Sequence, residues 1–206
     1  MKQDSPMHIW IDNTQLTDAP DLEAALEQAR LHAESQGRLI IDILVDGQPA
    51  PDEIFDDEPQ GLDSINELRF TTADTNELVI DTVATAIDSI ELLKADQSAG
   101  AQQIRSGDLG DAMHTMRSIM EGWQAVRDIA DQIAQLTQTD IPSLKIGPDQ
   151  GSEIVDSLSK TLSEVRETLQ NEDWSSLGDI IEYDLDELAT KWSALLNALI
   201  QGDQPS

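Results

Sequence analysis

The sequence predicts an α+β protein: a small N-terminal α/β unit over residues 1–73, then an antiparallel four-helix bundle over residues 74–206. Three observations carry this. Short β-branched runs bounded by Pro, Gly and Asn fill the first 70 or so residues and then cease near Ala73. Four long stripes of apolar residues at steps of three and four follow. Hydrophobic residues make up 39% of the chain but aromatic ones only 3%, so the core must be mostly aliphatic, which suits packed helices better than a sandwich.

The first strand is read at residues 7–12, Met-His-Ile-Trp-Ile-Asp, between Pro6 and Asn13. Pro20-Asp21 opens a helix to about Gln36, with Leu22, Leu26, Ala29 and Ala33 on one face and Gly37 as its stop. Leu39 to Val45 is the most apolar strand candidate. Asp46-Gly47 after it is a hairpin signal, and Pro49 and Pro51 keep the return strand short. Residues 51–64 read as an acidic loop. Leu68 and Phe70 then alternate with Arg69 and Thr71 in a strand from Glu67 to Thr72. A β-grasp-like sheet fits this pattern, with the strand order left open.

From Ala73 onward no strand is expected. Asp74 or Thr75 caps a helix striped by Val79, Val83, Ala86 and Ile90, with Gly100 and Gly107 bracketing its end. The next helix starts near Asp108. Ala112, Met116, Ile119, Trp123, Val126, Ala130 and Ile133 form an unbroken heptad along it. Residues 139–151 are a loop. The third helix, Ser152 to about Leu169, aligns Val155, Leu158, Leu162, Val165 and Leu169. The fourth has Asp173 as N-cap and Trp174 at its first position. Its stripe is Leu177, Ile181, Leu185, Leu188, Trp192, Leu195 and Leu199, unbroken until Gly202.

Charge narrows the function classes. Acids number 41 against 12 Lys and Arg, a formal −29, and 17 of those acids with 4 of those bases lie in residues 1–75, so the acidity is spread along the chain. Such a surface repels phosphate backbones and anionic lipid, which argues against nucleic-acid and membrane-surface partners. With no cysteine, disulfide and thiolate chemistry is excluded. The first residues carry no apolar signal-like run, and no run approaches the roughly 20 apolar residues of a membrane span. A cytoplasmic location is expected.

Each candidate for chemistry competes with a plainer reading. Asp111 and His114 share a helix face, as half of a di-metal carboxylate site requires, but no second such pair exists, which favours an ordinary boundary histidine. Asp52, Glu53, Asp56, Asp57 and Glu58 lack the spacing of a calcium loop and read as a solvated acidic loop. Asp179, Glu182, Asp184 and Asp186 read as a solvated face, with Asp184 nearest the stripe and so the one placed for a structural contact. Met113, Met116 and Met120 cluster beside Trp123 on one helix. Methionine packs adaptably, which makes these four the candidate partner-binding surface, against the competing reading of ordinary core. Phosphate loops, nucleophile elbows and metal-binding Cys/His spacings are missing, so neither a cofactor nor a metal is expected.

From about Thr75 the layout resembles the flagellin-specific export chaperone family (FliS-type): a first apolar helix, Gly107-Asp108 opening the second, a third helix, and a Leu-rich helix with the late Trp192. Glu172-Asp173-Trp174 and Asp179-Ile180-Ile181-Glu182-Tyr183 are similar to a segment of uncharacterised, motility-associated bacterial helical proteins. The resemblance implies a chaperone-like or regulatory role and a helical flagellar or secretion protein as partner. It covers roughly the last 130 residues, and the N-terminal unit lies outside it. The expected function is therefore a non-enzymatic protein-binding module. The alternatives are a metal-binding or enzymatic bundle using Asp111 and His114, and a structural homo-oligomer.

Overall fold

The computed structural model describes residues 7–51, 54 and 65–201. The chain is α+β and divides into two compact units, Met1–Leu78 and Val79–Ser206. The expected boundary at residue 73 falls a few residues short of this division, because the last strand continues directly into a helix whose first turn belongs to the N-terminal unit. There the Thr75 amide donates to the Gly37 carbonyl at 3.1 Å.

The N-terminal unit is a five-stranded sheet with one helix. Its strands are β1 (His8–Ile11), β2 (Thr14–Gln15), β3 (Arg38–Val45), β4 (Gln48–Pro49) and β5 (Glu67–Asp74). The order is β2-β1-β5-β3-β4. β1 runs parallel to β5, and every other pairing is antiparallel. Asp12 turns β1 into β2 with a φ of +50°. Its carboxylate accepts from the Thr72 amide at 2.9 Å and from the Thr72 hydroxyl at 2.8 Å. Those donors, the amide first, hold the Asp12 carboxyl below the ordinary aspartate range. At Asp46-Gly47 both φ values are positive (+48° and +80°), the left-handed pair that a tight two-residue hairpin demands. Proline leaves β4 only two residues long. The acidic run Asp52, Glu53, Asp56, Asp57 and Glu58 lies outside the described residues.

Helix α1 (Leu22–Ser35) starts where the Asp21 carboxylate accepts from the Ala24 amide at 2.8 Å. Its buried row is Ala25, Ala29 and Ala33: Ala29 and Ala33 are on the expected face, and Ala25 takes the place expected of Leu22 and Leu26. The small side chains let the helix lie close over Ile9, Ile11, Leu68 and Phe70, while Leu22 and Leu26 flank the contact half-buried. β3, the most apolar strand in sequence, has no fully buried residue. α1 also meets β3, whose Ile40, Ile43 and Val45 pack against this core half-buried.

The second unit is helical. α2 (Thr75–Ser106), α3 (Leu109–Leu136), α4 (Gly151–Gln170), α5 (Trp174–Asp179) and α6 (Leu185–Gln201) supply one continuous apolar core. The Asp74 carboxylate caps α2 through the Asn76 amide at 2.9 Å. α2 passes straight through Gly100, where a Cβ would lie 3.4 Å from Thr115 Cγ2 on α3. Gly122 of α3 likewise faces Leu93 of α2, so these helices run antiparallel. All seven heptad residues of α3 and all seven stripe residues from Leu177 to Leu199 are buried. On α4 the buried row is Ile154, Leu158, Thr161 and Val165, with Val155, Leu162 and Leu169 only half-buried beside it. Among the described residues, no helix is long and apolar enough to cross a membrane.

Two features depart from expectation. The loop before α4 contains a small hairpin, β6 (Lys145–Ile146) with β7 (Asp149–Gln150), closed by Gly147 at φ +61°. The last helix is also interrupted: Ile180–Asp184 is a π-helical turn joining α5 to α6. Leu177, Ile181 and Leu185 are spaced four and four, which in a straight α-helix drifts by about 80°. A wider π-turn takes up the extra residue and keeps all three in the core.

Gly151, the first residue of α4, touches the loop backbone. A Cβ there would stand 1.9 Å from the Ile141 carbonyl oxygen and 2.9 Å from its carbon. Neither atom is the end of a flexible side chain. Gly151→Ala should therefore cost about 1–3 kcal/mol or more through backbone displacement. Gly110, with open space around it, is the control and should gain from alanine. Thermal melts of both variants check this, and equal melting temperatures would show that the loop yields without cost.

Candidate functional site

α3 presents two sides. Met116 and Trp123 point into the core, at 2% and 0% exposure. Met113 is 46% exposed and Met120 half-buried. The four-residue recognition surface expected from sequence is therefore split. The heptad that gives α3 its buried face claims Met116 and Trp123, and only Met113 and Met120 remain reachable by a partner.

Those two methionines belong to a groove. Gly110, Met113, Arg117 and Met120 follow each other along α3 at steps of three and four, His114 stands beside them, Met116 closes the bottom, and Leu169 from the last turn of α4 forms the far wall. The space is about 470 Å³. Gly110 matters here, since a side chain on the stripe would fill the end of the groove. None of the lining residues is acidic, although acids outnumber bases more than three to one in the chain. Neither Arg117 nor His114 forms an ion pair among the described residues. Arg117 and Leu169 were missed in the sequence: Glu121 follows Arg117 by four residues, so the spacing suggests an ordinary helix pair, and nothing in it shows that Arg117 lines a groove.

Asp111 and His114 do lie one turn apart on α3, as the spacing requires. Among the described residues no third ligand-type side chain joins them, or gathers anywhere else in a group of three. The acidic patch near the π-turn is used differently than expected. Asp184 is exposed, while Glu182 is paired with Arg105 of α2 (Nη1–Oε1 2.9 Å, with a second bond from Nη2) and Asp186 with Lys94 at 3.5 Å. A straight-helix projection misplaces side chains across a π-turn, which is why Asp184 looked closest to the interior.

The remaining ion pairs are surface pairs of small individual value. Pairing within the chain leaves the whole net −29 in place, so self-repulsion opposes compaction. Sodium chloride shortens the Debye length to about 8 Å at physiological strength. The melting temperature should rise from low to moderate salt, and a flat profile would contradict this balance.

A helical unit with one apolar core and one acid-free groove is the class of protein this chain represents. It belongs to the family described as a domain of unknown function (DUF8042), whose model matches residues 81–195. That span runs from the first turns of α2 into α6 and contains every groove residue. No curated protein and no solved structure matched the chain.

Proposed function

We propose that this is a non-enzymatic, cytoplasmic protein-binding module, and that the α3–α4 groove takes an amphipathic helix of another protein. The observation that carries the reading is Met113 and Met120 set around acid-free, cationic ground on a chain of net −29. Thioether side chains adapt to varied apolar surfaces, and Arg117 adds a charged donor for a carboxylate on the incoming helix. An acidic-apolar helix therefore fits this surface. The resemblance to flagellin-specific export chaperones supports a chaperone-like role toward a helical flagellar or secretion protein.

The architecture behind this reading is an antiparallel four-helix bundle in which α5, the π-turn and α6 count as one helix. The shared core, the α2–α3 contacts at Gly100 and Gly122, and the short connections support it. The strand order of the N-terminal unit, with β1 and β5 parallel and α1 between β2 and β3, supports a β-grasp-like unit.

The test is a pull-down with the full chain and with Met113→Glu/Met120→Glu, after melts show both fold alike. A protein retained by the first and lost by the second is then purified and mixed with the chain, and gain of helical signal is read by circular dichroism. A captured set that is the same for both chains would sink the reading, as would a purified partner that binds without involving these methionines.

A further inference from the structure

A second groove lies on the N-terminal unit. Leu26 of α1, Ile40 and Ile43 of β3, and Phe70 of β5 form its apolar floor. Its volume is about 680 Å³, within the range of sites that bind ligands. It lies between α1 and β3, with Leu26 of α1 facing Ile40 and Ile43.

The rim is acidic. Glu23, Glu27 and Asp42 are exposed along it. The one cation there, Arg30, is already held by Glu27 at 2.8 and 2.9 Å and by Glu34 at 2.6 Å. The groove therefore meets an incoming group with apolar walls and a net negative edge.

The groove is also bounded by an open strand. β3 pairs along one side with β5, but β4 covers only Leu44 and Val45 on the other, and the Ala50 amide donates to the Ile43 carbonyl at 2.9 Å. Among the described residues no strand pairs with the outer side of Arg38–Asp42, a stretch of about 17 Å at strand rise. Ile41, in the bulge between Ile40 and Asp42, is 55% exposed at this edge. The bulge and the charges of Arg38 and Asp42 are the usual means of refusing a new strand, but Ile41 sets a large exposed aliphatic side chain among them.

We propose that this edge and groove bind an extended, basic-apolar segment of another protein by strand addition to β3. Backbone groups of the segment pair with the free side of Arg38–Asp42. Alternate apolar side chains turn under α1 onto Leu26, Ile43 and Phe70, while the intervening lysines or arginines meet Glu23, Glu27 and Asp42. A second copy of this chain is a poor occupant, because two surfaces of the same strong negative charge repel. The site is independent of the α3–α4 groove.

The probe is an end-capped, fluorescein-labelled hexapeptide of alternating valine and lysine, measured by anisotropy against the full chain at physiological salt. Controls are an all-lysine hexapeptide, an alternating valine–glutamate one, and two valine–lysine peptides N-methylated along one edge or the other. The valine–lysine peptide should bind at least about ten-fold tighter than either unmethylated control. Methylation of one edge should abolish binding and methylation of the other should spare it. Ile41→Lys and Glu23→Lys, both at exposed positions and checked by melt, should each weaken binding by about ten-fold. Equal binding of the all-lysine peptide would reduce the effect to diffuse attraction by the acidic surface and overturn the proposal. Equal tolerance of both methylated edges, indifference to Ile41→Lys, or no binding at all would overturn it as well.

Discussion

Trp123→Ala should be the most damaging single substitution in the helical unit, with a loss of about 3–5 kcal/mol. The side chain is fully buried on α3 and meets Trp192 of α6 edge-on, with ring centroids 6.3 Å apart and planes at 69°. Truncation removes the largest kind of side chain in the core and leaves a cavity that two long helices cannot close by small shifts. A domain typically has 5–15 kcal/mol in all, so the variant should melt far earlier or be unfolded at physiological temperature. Among the described residues neither indole N–H has a partner, so Trp123→Phe should lose much less: it keeps most of the apolar volume and removes a buried, unsatisfied donor. Trp192→Ala should resemble Trp123→Ala, and the double variant should cost less than the sum, since the edge-on contact can be lost only once. Urea denaturation of the four variants measures this. If Trp123→Ala melted like the wild type, Trp123 would not be part of the core in solution, and the division of α3 into a buried face and an open groove would fall with it.

The longest periodic signals in the sequence translated faithfully into structure, the stripe of α4 did so only at Leu158 and Val165, and short signals did not. The stripes of α3 and of the last helix are buried residue for residue, because a heptad sustained over several turns leaves the helix one face to bury. The caps at Asp21 and Asp173 likewise act through their side chains, on the Ala24 and Ser176 amides. The two-residue strands β2, β6 and β7 have no periodicity to read. β3, the most apolar strand in the sequence, has no buried residue, since strand hydrophobicity does not say how much of the strand its neighbours cover. α1 shows the same limit from the other side: Ala25 is as effective a contact residue as leucine when close approach to a sheet is what matters. The π-turn had a trace in the four-four spacing of Leu177, Ile181 and Leu185, yet a similar pattern occurs at Leu93, Gln97 and Ala101 of α2, where the helix stays α-helical. As for the groove, its methionines were visible as a cluster, but which of them face outward depended on the heptad phase. Its far wall at Leu169 depended on how α4 packs.

Gln97→Leu should stabilise the protein. Gln97 lies in the middle of α2 and is 1% exposed, and among the described residues neither its side-chain oxygen nor its nitrogen has a hydrogen-bond partner. In the unfolded chain both atoms are hydrated, so folding strips water from an amide and returns nothing. Each buried polar group left unsatisfied costs about 1–3 kcal/mol. Leucine has nearly the same length, favours the helix as much as glutamine does, and continues the stripe of Ile90, Leu93, Ala101 and Ile104 on either side. The expected gain is therefore of the order of one such penalty, about 1–3 kcal/mol, read as a higher urea midpoint with an unchanged slope. Gln97→Glu gives the opposite arm: a carboxylate there must be buried unpaired or take up a proton, so that variant should be destabilised at neutral pH and recover part of its stability as the pH falls. If Gln97→Leu instead lowered the midpoint, the amide would have a partner in solution, an ordered water being the simplest, and the core around α2 would be wetter than its apolar walls imply.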